Sequence, residues 1–254
     1  MCSRTTDPII TAHTLTLSDI KHSFDKLKFD EISYCGNDGD PLMAREFLRI
    51  VEFFAPMKQS IHTNGSLRSK EFWKKLASIP NVIVTFALDG STADVHQKYR
   101  INTDFEFILN NAKTFNEAGG ESWWQFIVFE HNEHQINEAK QLAKELGFAK
   151  FELVYSRRDD VGDIKTIKFL DYKPLDTIDC KAKRLEEIYI RSDGEVFPCV
   201  YQGSRNTFSG LNIKDRHLKD IIYDIYFDNF NFENSICHYN CRDMIRNKRA
   251  KTSL

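Results

Sequence analysis

The chain has 254 residues, 41% of them hydrophobic and 28% charged, which is enough apolar material for a full core and the wrong balance for a disordered or fibrous protein. A formal net charge of −2 argues against a general nucleic-acid binder, because phosphate recognition draws on a basic surplus. No apolar run approaches the roughly 18 residues that span a bilayer, and no basic-then-apolar leader opens the chain, so a cytoplasmic protein without membrane contact is expected.

In chain order, Ser18 reads as the N-cap of a short helix carrying Ile20, Phe24 and Leu27. "FDEISYCG" reads as a strand ending in glycine, and the helix after it has Met43, Phe47, Ile50, Val51 and Phe54 as its apolar face. "SIHTNG" is a second strand, followed by the helical "SKEFWKKLAS". "NVIVTFALDG" is a third, leading to a helix with Phe105, Ile108, Leu109, Ala112 and Phe115 on one side. "SWWQFIVFEHN" is a fourth; its helix carries Ile136, Ala139, Ala143 and Leu146 and stops at Gly147. "KFELVYS" closes the series.

Five strands alternating with helices predict an α/β fold with a parallel sheet, doubly wound or a partial barrel. Both place the active site at the C-terminal ends of the strands. The loops there are "CGNDGDP", "TNG", "ALDG" and "EHN", all rich in Gly, Asn and Asp. Any one of them is explained by the needs of a turn; four on one rim suggest a ligand.

Beyond residue 157 the alternation stops, which divides the chain into a core of 1–157 and a smaller domain of 158–254. In the latter, "EEIYIRSDGEVFPCVYQG" reads as a hairpin around Asp193-Gly194, and "RHLKDIIYDIYF" as a short amphipathic helix. The basic end "RNKRAKTSL" reads as a solvated tail. Cys180, Cys199, Cys237 and Cys241 all fall in this part, and four thiolates from a hairpin and a terminal segment suit a tetrahedral zinc or an iron–sulfur cluster. Cys35, at a strand end, reads as a small buried hydrophobe, His238 as solvated, and Trp123-Trp124 as core or rim.

The order of these loops resembles the radical S-adenosylmethionine (radical SAM) family with a C-terminal twitch or SPASM-type auxiliary-cluster domain. "GNDGDPL" is similar to the family's Gly-Gly-Glu-Pro loop, with Asp40 where glutamate is usual. "TNG" resembles the next strand end, and "FALDGSTADVHQKYR" resembles the "S-x-D-G…H-D…R" stretch, with Ala87 where serine is usual. "CKAKRLEEIYIRSDGEVFPC" matches the auxiliary domain's Cys, then Gly-x₄-Cys, arrangement through Cys180, Gly194 and Cys199. "MCSRTTDP" looks like the end of the C-x₃-C-x₂-C loop, with Cys2 as third ligand and the first strand and two cysteines expected upstream.

The resemblance implies a partial (β/α) barrel lacking its first strand, plus a small domain built around a β-hairpin. It implies a SAM site made from Gly36, Gly39, Asp40, Pro41, Asn64 and Asp89, with Arg100 toward the SAM carboxylate and Asn132 toward the adenine. It implies 4Fe-4S ligation: one auxiliary cluster through Cys180, Cys199, Cys237 and Cys241, and a catalytic cluster through Cys2 only where the two expected upstream cysteines are restored. In that family SAM is cleaved reductively to a 5′-deoxyadenosyl radical that abstracts hydrogen from substrate. The expected partners are SAM, a peptide or protein substrate, and an electron donor such as flavodoxin or ferredoxin. The competing reading is a non-catalytic iron–sulfur or zinc protein on a degenerate scaffold of this kind.

Overall fold

A computed structural model of the chain describes residues 14–24, 27–37, 39–155, 163–167, 180–203 and 209–227. Cys2, Cys237, Cys241, His238 and the basic tail lie outside the described residues. By contacts the chain divides into two units, residues 28–169 with 1–6, and residues 7–27 with 170–254. The sequence reading divided it at 157/158 instead.

The second unit begins with α1 (Leu17–Ser23). Its N-cap is Thr16, not Ser18: the Thr16 hydroxyl accepts from Asp19 N–H while the Asp19 carboxylate accepts from Thr16 N–H at 2.8 Å, a closed capping box. Ser23 Oγ donates to Arg216 C=O (3.2 Å), tying the helix to its own unit.

In the first unit the elements run β1 (Glu31–Tyr34), α2 (Phe47–Phe53), β2 (Lys58–Thr63), α3 (Lys70–Ala77), β3 (Val82–Ala87), α4 (Ala93–Tyr99), α5 (Phe105–Glu117), β4 (Glu121–Val128), α6 (Ile136–Glu145) and β5 (Lys150–Tyr155). The five strands are all parallel and lie side by side in chain order. A doubly wound sheet reverses its strand order at a switch point, and none occurs here.

Residues alternate across each strand, so one face of the sheet carries Ile61, Val84, Phe86, Trp124 and Phe126. Val51, Trp73, Ile108, Phe115 and Ala139, from α2, α3, α5 and α6, join them in one buried cluster. The helices therefore cover a single face. The other face, with Ser60, His62, Trp123 and Gln125, stays half-exposed. One covered and one open face make a partial barrel, as the sequence reading expected.

Two expectations need correction. Cys35 is exposed, because it leaves β1 on the strand's open side just past the last ladder pair, Tyr34 with Ile61. Met43 is 54% exposed: the chain makes a separate 3₁₀ turn at Pro41–Met43, and α2 starts afresh at Phe47, out of phase with it.

The rest of the second unit comprises α7 (Lys181–Arg184), β6 (Tyr189–Ile190), β7 (Val196–Phe197), α8 (Val200–Gly203) and α9 (Leu218–Phe227). β6 and β7 form the expected antiparallel hairpin, turning at Gly194 with φ +97°. Among the described residues no helix is long and apolar enough to cross a membrane.

Candidate functional site

The loops at the C-terminal ends of β1 to β4 are knitted together by side chains. After β1 the chain turns so tightly that a Cβ on Gly36 would lie 2.6 Å from Gly39 C=O. Asp40 then caps the Pro41–Met43 turn by accepting from Leu42 N–H (3.0 Å). Its other oxygen accepts from Asn64 N–H (2.8 Å) and from the Thr63 hydroxyl (2.8 Å), so one carboxylate joins the β1 and β2 loops. Arg68 strengthens the joint by donating from Nε to Leu42 C=O (2.7 Å). The Asn64 side chain closes an Asx turn on Ser66 N–H (2.9 Å).

The loop after β3 centres on Asp89, which is fully buried. Its carboxylate accepts from Arg100 Nε (2.6 Å) and from Ile127 N–H (2.7 Å), linking α4 to β4. Gly90 admits no side chain, since a Cβ there would meet the His96 backbone nitrogen at 2.8 Å. Asn132, also fully buried, donates to the carbonyls of Asp89 (3.1 Å) and Ile127 (2.9 Å) and accepts from Phe129 N–H (2.8 Å). Gln135 accepts from Ser91 N–H (2.8 Å), closing the seam between the β3 and β4 loops.

His96 is enclosed beneath this loop. Its Nδ1 accepts from Asp89 N–H (3.1 Å), and burial, reinforced by Arg100, pushes its pKa down to about 4. Against 6.5 in the unfolded chain, this histidine costs nothing above pH 6.5. It withdraws stability progressively as pH falls from 6.5 toward 4, because only the unfolded state takes up the proton. The full penalty is about 3 kcal/mol. Burial lowers His62 and His131 in the same direction. Urea unfolding at pH 7 and pH 5 should therefore give a lower midpoint at pH 5, and His96→Gln should flatten that slope; equal slopes would contradict this account.

Three residues that the sequence reading did not single out stand apart. Asn37 Nδ2, Ser66 Oγ and both ring nitrogens of His131 are buried with no hydrogen-bond partner, and they are the buried side-chain polar atoms so left among the described residues. Burying such a group without a partner costs about 1–3 kcal/mol, and natural folds rarely accept it. Asn37 lies in the β1 loop, Ser66 in the β2 loop and His131 in the β4 loop. The His131 ring stacks on Phe129 (5.4 Å, 14°), which packs on Tyr99 (4.5 Å). Arg100 adds a donor edge: its Nε is held by Asp89, its Nη groups have no hydrogen-bond partner among the described residues, and its side chain is 22% exposed. The rim thus offers donors, an imidazole and a cation to a polar ligand that carries an anionic group. The signal was present in sequence as "GND", "NGS" and "EHN", but any turn uses such residues.

The chain has the fold of SuiB. Streptococcus suis SuiB bound to S-adenosylmethionine matches with a TM-score of 0.59 at 18% identity, covering 83% of this chain and 59% of that one. Native anSMEcpe with bound AdoMet matches with a TM-score of 0.54 at 15% identity, covering 82% of this chain and 70% of that one. Among curated proteins, the AdoMet-dependent heme synthase of Methanosarcina barkeri is 26% identical over 174 residues, 64% of this chain. The chain spans about half the length of that relative (48%). No family model matches.

In the second unit, Cys180 and Cys199 are half-buried, and Cys180 Sγ accepts from Lys183 N–H (3.4 Å) at the start of α7. Both bear on the Tyr226 hydroxyl, whose pKa is raised first by burial and then by Cys180, the carboxylates of Glu186 and Glu187, and Cys199. Among the described residues no group of three or more His, Cys, Asp or Glu side chains could hold a metal ion.

Proposed function

We propose that this chain is a radical SAM protein that binds S-adenosyl-L-methionine on the rim of its partial barrel. The observation that carries this reading is the placement of the partnerless polar atoms of Asn37, Ser66 and His131 in three of the rim loops, where a polar ligand would satisfy them. The fold shared with two AdoMet-bound proteins and the AdoMet-dependent curated relative support the choice of ligand. In this reading Gly36, Gly39, Asp40, Pro41 and Asn64 shape the methionine end. Arg100 meets the carboxylate through its Nη edge, held there by Asp89, and Asn132 braces the loop that carries His131 to the nucleoside.

When bound, a 4Fe-4S cluster supplies the electron for reductive cleavage of SAM. Cys2 belongs to that ligation, and Cys180, Cys199, Cys237 and Cys241 to an auxiliary site. A peptide or protein substrate, and a flavodoxin or ferredoxin as electron donor, belong to the same proposal. SuiB bound to its precursor peptide SuiA shares the fold (TM-score 0.57, 18% identity), which supports the peptide.

The test is calorimetric binding of SAM and of 5′-methylthioadenosine, which lacks the amino-acid end, together with iron and zinc content after anaerobic reconstitution. Wild type is expected to bind both ligands and to hold iron that Cys180→Ala or Cys199→Ala removes. Arg100→Lys keeps a cation for Asp89 but no fork for a carboxylate. It should lose about tenfold in SAM affinity, or about 1.4 kcal/mol, with methylthioadenosine unaffected. Binding of neither ligand would end the SAM reading, and zinc without iron would favour the non-catalytic metal protein.

A further inference from the structure

A chain of hydrogen bonds runs behind Arg100. His96 Nδ1 accepts from Asp89 N–H (3.1 Å), so it carries no proton, and the ring's single N–H is on Nε2. Nε2 lies 3.1 Å from Thr103 Oγ1 and so donates to it. The Thr103 hydroxyl donates in turn to Arg100 C=O at 2.6 Å, since a carbonyl can only accept. Arg100 N–H returns to His96 C=O (3.0 Å), and Gln97 Nε2 fixes Thr103 through its carbonyl (2.7 Å). The ring of polar contacts is thus closed: Asp89 backbone, His96, Thr103, Arg100 backbone, Arg100 Nε and the Asp89 carboxylate.

Each link has one direction only, because a neutral imidazole has one donor and one acceptor. Arg100 needs such a frame. It is the C-cap residue that follows α4, with φ −90° and ψ +66°: its N–H is still held by the helix, but its C=O points out of the helical ladder and is taken by Thr103. Ile101, immediately after it, is 73% exposed.

We propose that His96 and Thr103 are positioning residues for Arg100, holding its backbone so that Nε meets Asp89 and the Nη edge faces the carboxylate of a ligand. Neither touches the ligand; both act on the carboxylate end through Arg100. This rests on the SAM reading for the identity of that ligand, but the frame itself is a property of the chain.

Thr103→Val tests it, since valine keeps the shape and removes only the hydroxyl, and Thr103 lies outside the buried core. SAM affinity should fall by about fivefold, methylthioadenosine affinity should not change, and in an Arg100→Lys background the same substitution should cost nothing further. His96→Gln, whose amide nitrogen replaces Nε2, should retain more SAM affinity than His96→Asn, whose oxygen replaces only Nδ1. Equal losses for both ligands, or additivity with Arg100→Lys, would assign Thr103 a merely structural role. Hydrogen exchange of the Arg100 Nε–H, read by NMR, needs no ligand: it should quicken at least tenfold in Thr103→Val, and unchanged protection overturns the proposal. Should wild type bind neither ligand, the SAM reading fails, and the exchange measurement still decides the frame.

Discussion

Asp89→Ala is expected to destabilise the first unit by about 3–5 kcal/mol, a large part of the 5–15 kcal/mol that holds a typical domain together. The carboxylate is fully buried, and its removal strands the Arg100 guanidinium and the Ile127 N–H at once. Part of the loss is the cost of leaving a cation that is only 22% exposed without its counter-charge. Asp89→Asn should cost less, because its amide oxygen still accepts from Ile127 N–H while the charge opposite Arg100 disappears. Urea unfolding with an unchanged m value would read both. A loss below 1 kcal/mol for Asp89→Ala would mean that Arg100, already 22% exposed, swings into water and that the pair is not a structural hub. Double substitution with Arg100→Met separates the two explanations: it should recover stability if the stranded cation is the main cost.

His131→Phe is expected to move stability and binding in opposite directions. Phenylalanine keeps the stack on Phe129 and removes two buried nitrogens that have no partner. A gain of about 1 kcal/mol in stability should follow, since replacing an unsatisfied polar group by an apolar one of similar shape relieves its desolvation cost. The same change should weaken SAM by about tenfold, and methylthioadenosine by a similar factor, if His131 meets the nucleoside. Burial, with Lys98 and His134, holds the imidazole below its usual pKa against the pull of Asp89, so it offers one donor and one acceptor at neutral pH. Thermal melts with and without ligand would measure both effects. A variant that loses stability and binds as wild type would make His131 an ordinary packing residue. A variant with both effects would identify a residue kept for function at the expense of the fold.

What the sequence by itself determined is the series of elements. Alternating Val, Ile and aromatic residues in "VIVTFA" and "SWWQFIV", and the 3.6-residue spacing of Phe105, Ile108, Leu109, Ala112 and Phe115, are local patterns, and the structure follows them. The hairpin at Asp193-Gly194 was legible for the same reason, because a positive φ restricts the choice of residue. Errors arose where two local solutions compete: Thr16 and Ser18 are both good caps, and only the reciprocal bond with Asp19 separates them.

The choice between a doubly wound sheet and a partial barrel required the tertiary structure, because it depends on which face each helix covers. So did the exposure of Cys35, and above all the site. Asp40 with Asn64, Asp89 with Ile127, and Asn132 with Asp89 are separated by 24, 38 and 43 residues. Hydrogen bonds over such distances leave no periodic trace in the chain. A turn-forming Asn or Asp looks the same in sequence whether its side chain closes its own loop, clamps a neighbouring one, or waits without a partner, and only the packed strand ends distinguish Asn64, Asn132 and Asn37.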